Sequence, residues 1–257
     1  MGFYYDDVHS KEMGINARLT SWQVCGALRN STAVIPGKYG IADFGADFDS
    51  REIKISCSVS PKGNLKNLIT TLDKISAWLD ASNGLKQLIL DDAPDRYFMA
   101  RLNEKCDCER LLIRSAGSFE LNFLCPDPFG YAISDEHFNI SAVGTHTVKR
   151  EKGNIFSNPV YRIEGVFSAG TSVTITTNGS AVKIVNGSLS SNETLVIDSE
   201  KMTAWVENES GLTLRNALPH LQDLNFPSLD VGNNEIKITA NGGTFTNLEI
   251  VAKSRWR

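Results

Sequence analysis

The stretch Glu52-Ile53-Lys54-Ile55-Ser56-Cys57-Ser58-Val59 alternates between polar and apolar residues. A period of two predicts a half-buried β-strand with its apolar face on a core. A different period follows, in which apolar residues recur at steps of three and four up to Gly84. They are Leu65, Leu68, Ile69, Leu72, Ile75, Trp78 and Leu79. We therefore predict a helix at about residues 64–81, with Asn64 as its N-cap and Asn83-Gly84 as its stop.

The apolar stripe of this helix is narrow, and charged or polar side chains occupy the rest of its circumference. Such a helix lies on one side of a sheet rather than inside a core. Four strand-like runs follow it, and the sequence predicts that they form a β-meander. The runs are Gln87 to Leu90, Tyr97 to Leu102, Arg110 to Arg114 and Phe119 to Cys125.

Between the first two runs lies Asp91-Asp92-Ala93-Pro94-Asp95-Arg96-Tyr97-Phe98, with three carboxylates in five residues. Such a cluster is compatible with a metal site, a catalytic pair or a turn. Calcium ligands would alternate around a glycine and end in a glutamate, and this run has neither feature. Pro94 with Asp95 is typical of a reversing loop, so we interpret the run as a hairpin turn.

After residue 154 the pattern changes to short alternating strands separated by Gly and Asn turns at sandwich spacing, such as Asn178-Gly179 and Gly242-Gly243. We predict a mainly β protein with two domains. Residues 1–134 are predicted to form a β-sandwich or barrel-like domain with one packed helix. Residues 135–154 are predicted to be a linker, which has room for one strand near Thr145 to Val148. Residues 155–257 are predicted to form an antiparallel β-sandwich without a real helix.

Composition excludes several classes of protein. The 257 residues are 41% hydrophobic and 22% charged, which is ordinary for a globular chain. There are 15 basic and 17 acidic residues up to residue 134, and 11 and 13 after it, so neither half has the basic excess that nucleic-acid binding needs. No stretch is long and apolar enough to insert into a membrane. Met1–Asp7 has no signal-peptide pattern, so we expect synthesis in a cytoplasm with five free thiols.

The remaining candidates for chemistry are weak. Cys106-Asp107-Cys108 has a poor spacing for zinc, and His9, His137, His146 and His220 are scattered. Asp43-Phe44-Gly45-Ala46-Asp47-Phe48-Asp49 is interpreted as a second acidic loop. Nucleophile-elbow and phosphate-loop motifs are absent. We therefore predict no catalytic, cofactor-binding or metal-binding residue, and no enzyme. A glycoside hydrolase stays a minor alternative.

Trp205 lies on the polar side of its predicted strand, opposite Ala204 and Val206. Exposed aromatic residues stack on sugar rings, so a carbohydrate-binding protein that recognises cell-wall glycans is the alternative hypothesis. A neighbouring loop or subunit that covers the ring is the simpler explanation.

Several motifs, taken in their order along the chain, resemble those of a known protein family. They are Ala77-Trp78-Leu79, the acidic turn from Asp91, Phe123-Leu124-Cys125-Pro126-Asp127-Pro128-Phe129-Gly130-Tyr131, Leu195-Val196-Ile197-Asp198, Phe226-Pro227-Ser228-Leu229-Asp230-Val231-Gly232-Asn233-Asn234 and Arg255-Trp256-Arg257. Together they resemble the distal tail proteins of long, non-contractile-tailed bacteriophages over nearly the whole chain.

The resemblance implies an N-terminal domain related to tail-tube folds, assembled as a hexameric ring, and a galectin-like C-terminal sandwich. It implies a structural protein at the phage tail tip that joins the tail tube protein to a tail-tip or tail-associated lysin protein, and in some phages to receptor-binding proteins. It implies no catalysis.

Overall fold

The computed structural model describes residues 1–61, 65–111, 116–187, 189–222 and 224–257. The chain divides into two compact units, Met1–Ile133 with Arg257 and Ser134–Trp256. Each unit has its own cluster of buried apolar residues. The protein is mainly β and its sheets are antiparallel, as the alternating sequence pattern predicts.

The first unit contains eleven named strands and one α-helix among its described residues. The elements are β1 (Phe3–Tyr5), β2 (Val8–His9), β3 (Ile15–Leu19), β4 (Leu28–Ala33), β5 (Ala42–Phe48), β6 (Arg51–Val59), α1 (Leu65–Trp78), a 3-10 turn (Ala81–Asn83), β7 (Lys86–Leu90), β8 (Ala93–Leu102), β9 (Glu109–Leu111), β10 (Ala116–Cys125) and β11 (Gly130–Ala132).

The main sheet of this unit runs in the order β2-β1-β7-β8-β10-β6-β3. Its longest ladder joins β10 to β6, from Gly117 opposite Val59 to Cys125 opposite Arg51. Strand β6 has the predicted alternation, with Ile53, Ile55, Cys57 and Val59 buried. The meander is only approximate, because β9 pairs with β10 and lies off the path of the main sheet. Residues 112–114 of the third predicted run lie outside the described residues.

Helix α1 is confirmed but is shorter than predicted. It ends at Trp78, and a 3-10 turn capped by Asp80 continues the chain to Gly84, whose φ of 80° ends the turn. The predicted cap Asn64 lies outside the described residues. Leu68, Ile75 and Leu79 are buried while Ile69 is exposed, so one narrow stripe faces the sheet.

The second unit consists of β12 (His137–Ile140), β13 (Gly144–Arg150), β14 (Val160–Val166), β15 (Ser172–Thr177), β16 (Ser180–Val185), β17 (Glu193–Asp198), β18 (Thr203–Asn208), β19 (Thr213–Asn216), a 3-10 turn (Leu218–His220), β20 (Gly232–Asn241), β21 (Thr244–Val251) and β22 (Arg255–Trp256).

Two sheets of this unit share one core. The first has the order β12-β21-β14-β17-β18-β19 and the second β13-β20-β15-β16. The core combines Tyr161, Ile163 and Ile250 of the first sheet with Ile175 and Ile238 of the second, all buried. This is the antiparallel sandwich that the alternating pattern predicts, because apolar residues at every second position of both sheets meet in one layer.

The prediction that residues 135–154 form a linker is wrong, although the strand predicted near Thr145 to Val148 is present as β13. Residues 137–140 form β12, which pairs with β21, and residues 144–150 form β13, which pairs with β20. The segment has few apolar residues because both are edge strands, and an edge strand needs only a few buried side chains. Ile140 and Val148 supply them.

Candidate subunit interface

Strands β4 and β5 form a ribbon that is a sheet of its own. They pair from Leu28 opposite Phe48 to Ala33 opposite Ala42. Every residue of β4 is exposed, and in β5 only the two terminal residues are half-buried. We call residues 28–48 the arm, because this hairpin extends away from the core of its own unit.

The local sequence explains the reversal at the end of the arm. Pro36-Gly37 supplies a turn, in which Lys38 N–H donates to the Ile35 carbonyl at 3.1 Å. Gly37 and Gly40 have φ values of 80° and 78°, a backbone region that glycine adopts without steric cost. The chain thus reverses its direction within the eight residues between β4 and β5.

The arm exposes large apolar side chains. Val34 is 78% exposed and Phe44 70%, and Ile35, Tyr39 and Ile41 are exposed as well. Large apolar patches on a soluble chain mark protein interaction sites. A two-stranded hairpin alone is only marginally stable in water, so a partner surface would also stabilise the arm.

The base of the arm is attached to its own unit through aromatic contacts. The rings of Phe48 and Phe129 meet edge to face with 5.9 Å between their centroids. This contact holds the end of β5, while the turn at Pro36-Gly37 lies at the far end of the ribbon. The arm therefore has a fixed base and an apolar tip.

The acidic run at Asp91 makes a hairpin turn, as predicted, but the reversal lies elsewhere in the run. Asp91 and Asp92 connect β7 to β8, with Leu90 opposite Ala93, so Pro94 and Asp95 belong to β8. Asp91 Oδ1 lies 3.2 Å from His9 Nε2, and Asp91 Oδ2 lies 3.9 Å from the N-terminal amine of Met1. Its carboxylate therefore ties the chain terminus to the turn.

Asp95 pairs with the neighbouring Arg96 instead of joining Asp91. Asp91 and Asp95 thus have different partners, whereas a metal site would need the carboxylates of the run to converge. Among the described residues, no group of three or more His, Cys, Asp or Glu is placed to hold a metal ion.

The second predicted acidic loop, Asp43 to Asp49, is wrong as a loop, because its residues up to Phe48 lie in β5 of the arm. Asp43 Oδ1 accepts the Gly45 N–H at 2.9 Å, a local bond that turns its carboxylate back to the backbone. The sequence does carry a strand signal here, because Ala42, Phe44, Ala46 and Phe48 alternate with Asp43, Gly45 and Asp47. The interpretation failed because it gave more weight to the three carboxylates than to this period of two.

All five cysteines are free thiols. Burial raises the pKa of Cys57 and of Cys125 to about 12, so both are protonated near neutral pH. Burial also raises the pKa of Cys106 and Cys108, the pair that connects β8 to β9. None of these four thiols has the lowered pKa of a nucleophile or of a metal ligand.

Trp205 lies on the face of β18 opposite Ala204 and Val206, as predicted. Its indole N–H donates to Glu207 at 3.1 Å, and the same carboxylate is paired with Arg162. The ring is half-buried and its polar group is already bonded within the sheet. No helix in the described part of the chain is long and apolar enough to cross a membrane.

Comparison with known proteins decides the family. The model of the phage tail protein RIFT-related domain matches residues 14–125, and that of the siphovirus-type tail component C-terminal domain matches residues 152–256. The chain belongs to the siphophage distal tail protein family. As a distal tail protein it is a structural component of the phage tail.

One solved structure shares the fold of this chain. The crystal structure of the SPP1 Dit protein (gp 19.1), a paradigm of the hub adsorption apparatus in phages that infect Gram-positive bacteria, aligns with 100% of this chain and 99% of its own. The TM-score is 0.77 at 16% identity, which shows a shared fold.

More distant matches come from the phage P2 baseplate in its activated conformation. The form with Ca gives a TM-score of 0.43 over 94% of this chain and 90% of that chain, and the form with Sr gives 0.42 over 98% of each, both at 8% identity. A search of curated protein sequences gives no match.

The apolar arm of this distal tail protein is the feature that sequence reasoning missed. Its signal is present in Val34-Ile35-Pro36-Gly37-Lys38-Tyr39-Gly40-Ile41, where apolar residues flank a Pro-Gly turn. The pattern is a hairpin signal, but it does not reveal that the apolar side chains stay exposed.

Proposed function

We propose that the chain assembles into a closed ring of six copies at the distal end of a long non-contractile tail. The ring joins the tail tube protein to the tail-tip or tail-associated lysin protein, and receptor-binding proteins attach to the same hub. The role is mechanical and architectural, and it involves no catalysis. The virion tail tip is its site of action, after synthesis in the host cytoplasm.

The observation that carries this proposal is the apolar arm. Val34, Tyr39 and Phe44 are solvated in the single chain, and burying them against another subunit recovers about 25 cal/mol per Å² of apolar surface. A contact between an arm and a different surface of the next copy is head-to-tail, and contacts of this kind close into a ring when the rotation fits. The number six rests on the resemblance to distal tail proteins, which implies a hexameric ring.

Removing the arm tip tests the proposal. Residues 34–41 are replaced by Asn-Gly, which closes Ala33 and Ala42 with a two-residue hairpin turn. We expect the intact chain to give a ring in negative-stain images and the corresponding mass in light scattering, and the shortened chain to stay monomeric with an unchanged circular-dichroism spectrum.

Leu212→Ser is the matched control, because Leu212 is also an exposed apolar residue but lies in the second unit. It should leave the ring intact. The proposal is overturned if the intact chain stays monomeric both alone and when mixed with its tail tube and tail-tip partners.

A further inference from the structure

A groove of about 740 Å³ lies between the C-terminal half of α1 and the connection from β8 to β9. Its floor is apolar and is formed by Ile75, Leu79, Phe119 and Leu121, all buried residues of the core of the first unit. Volumes of this size are typical of grooves that accept a ligand or several side chains. The groove is thus large enough for the tip of a hairpin.

The rim of the groove is acidic. It carries four carboxylates, those of Asp73, Asp80, Glu104 and Asp107, against the single ammonium group of Lys105, a net of minus three. Lys105 Nζ lies 2.6 Å from Asp107 Oδ2, so this lysine already forms an ion pair with one carboxylate of the rim. Asp73 and Asp80 are exposed at the helix side of the groove. A basic apolar segment fits such a surface.

The tip of the arm is a segment of this kind. Among residues 33–42 the single charged residue is Lys38. Ile35 precedes it, Tyr39 and Ile41 follow it, and all four side chains are exposed. One positive charge surrounded by large apolar groups complements an apolar floor with an acidic rim.

From this complementarity we infer that the groove beside α1 receives the arm tip of a second copy of the chain. The apolar side chains of the tip cover the floor, and Lys38 faces the carboxylates of the rim. The arm and the groove are different surfaces of one subunit, so each copy gives its arm to one neighbour and accepts the arm of the other. The inference rests on the proposed ring and specifies its interface.

Two native cysteines allow a direct test, because Cys106 and Cys108 line the groove and are half-buried. Tyr39→Cys places a thiol at the arm tip, in a background where the exposed Cys25 is changed to Ser. A short bis-maleimide, added above about pH 8.5 because burial raises the pKa of both groove thiols, then joins thiols that lie close together. We expect a ladder of covalent oligomers on a denaturing gel.

Two controls show which thiols produce the ladder of oligomers. Adding Cys106→Ser and Cys108→Ser to the Tyr39→Cys chain should abolish it, which excludes links between two arm tips. Leu212→Cys in the Cys25→Ser background places an equally exposed thiol in the second unit and should give no ladder.

A charge reversal gives an independent readout. Lys38→Glu should weaken assembly about fivefold, as expected for loss of an exposed ion pair, and Asp73→Lys in the same chain should restore it. Both residues are exposed, so the variants are expected to fold. Salt should reduce the difference between wild type and Lys38→Glu.

Failure of this inference is distinct from failure of the ring. Rings that form normally while the ladder does not depend on Cys106 or Cys108 would overturn the arm-to-groove contact and leave the ring in place. A ladder in which the groove thiols link to a tail tube or tip protein would assign the groove to that protein and also overturn it. An intact chain that forms no ring overturns the proposed function itself.

Discussion

Trp78 connects the helix to the first strand of the chain. Its ring stacks on Phe3 with 5.7 Å between centroids and an interplanar angle of 12°, and its indole N–H donates to the Tyr5 carbonyl at 3.0 Å. One side chain therefore joins the last turn of α1 to the sheet by an aromatic contact and a hydrogen bond.

Trp78→Ala should lower the free energy of unfolding by about 3 kcal/mol, because it removes a large packed ring and leaves a carbonyl without its donor. Urea denaturation followed by the helical circular-dichroism signal measures this free energy, since α1 is the one α-helix among the described residues. The control is Ile69→Ala, because Ile69 lies on the outer side of the same helix and is 51% exposed. This variant should change the free energy of unfolding by less than about 0.5 kcal/mol. A loss below about 1 kcal/mol for Trp78→Ala would show that the ring contributes little packing.

Glu193 and Arg215 form a two-point ion pair across β17, β18 and β19. Arg215 Nη1 lies 2.6 Å from Glu193 Oε1 and Nη2 lies 2.8 Å from Oε2. The hydrogen bonds from Arg215 lower the pKa of Glu193 from 4.5 to about 2. Because the folded state has the lower pKa, the pair stabilises the protein above pH 4.5, and this stability is lost as the pH falls toward 2.

Glu193→Gln should therefore cost about 1 kcal/mol near neutral pH, a value limited by solvent screening of the half-exposed Arg215. The difference from wild type should decrease steadily in urea titrations between pH 4.5 and 2. Glu209→Gln, at an exposed turn beside the pair, is the control and should show a smaller change. A difference that stays constant over this range would contradict the linkage.

The hairpin of β15 and β16 is the element that its local sequence specifies most directly. Asn178 and Gly179 have φ values of 50° and 83°, the geometry of a two-residue turn whose twist matches the strands. The Asn178 carboxamide also accepts the Glu235 N–H at 3.0 Å. Turn type and register both follow from this dipeptide.

Gly179→Ala should lower the free energy of unfolding by about 1 to 2 kcal/mol. The cost is backbone strain alone, since an added Cβ would have no heavy atom within 4 Å. Gly179→Asn should cost less, because asparagine adopts positive φ more readily. Denaturant titration of both variants checks the order, and equal losses would contradict the explanation from backbone strain.

The whole molecule contains two separate apolar cores, one in each compact unit. Leu121 belongs to the first and Ile175 to the second, and both are almost completely buried. Leu121→Ala and Ile175→Ala should each cost about 2 to 5 kcal/mol. Their effects should add within about 0.5 kcal/mol in the double variant, because residues that share no neighbours act independently.

Scanning calorimetry measures this additivity. Each single variant should shift one component of the unfolding transition, and the double variant should shift both by the same amounts. A single transition that either variant shifts as a whole would show that the two cores unfold as one cooperative unit.

Much of this protein can be predicted from its sequence because many signals are local. The period of two in Glu52 to Val59, the helical stripe from Leu65 to Leu79, and the Asn178-Gly179 turn all depend on neighbours within a few residues. The strand and the turn form as predicted, and the helix forms but ends earlier, at Trp78. The family resemblance depends on motifs of the same local kind.

The tertiary structure decided what depends on distant pairing. Strands β12 and β13 have few apolar residues, and only their ladders with β21 and β20 make them part of the sandwich. The apolar residues of the arm look like core residues in sequence, because hydrophobicity alone does not show whether a side chain finds a partner in the same chain. Whether they are buried depends on the fold of the chain and, in the interface that we infer, on the groove of a second copy.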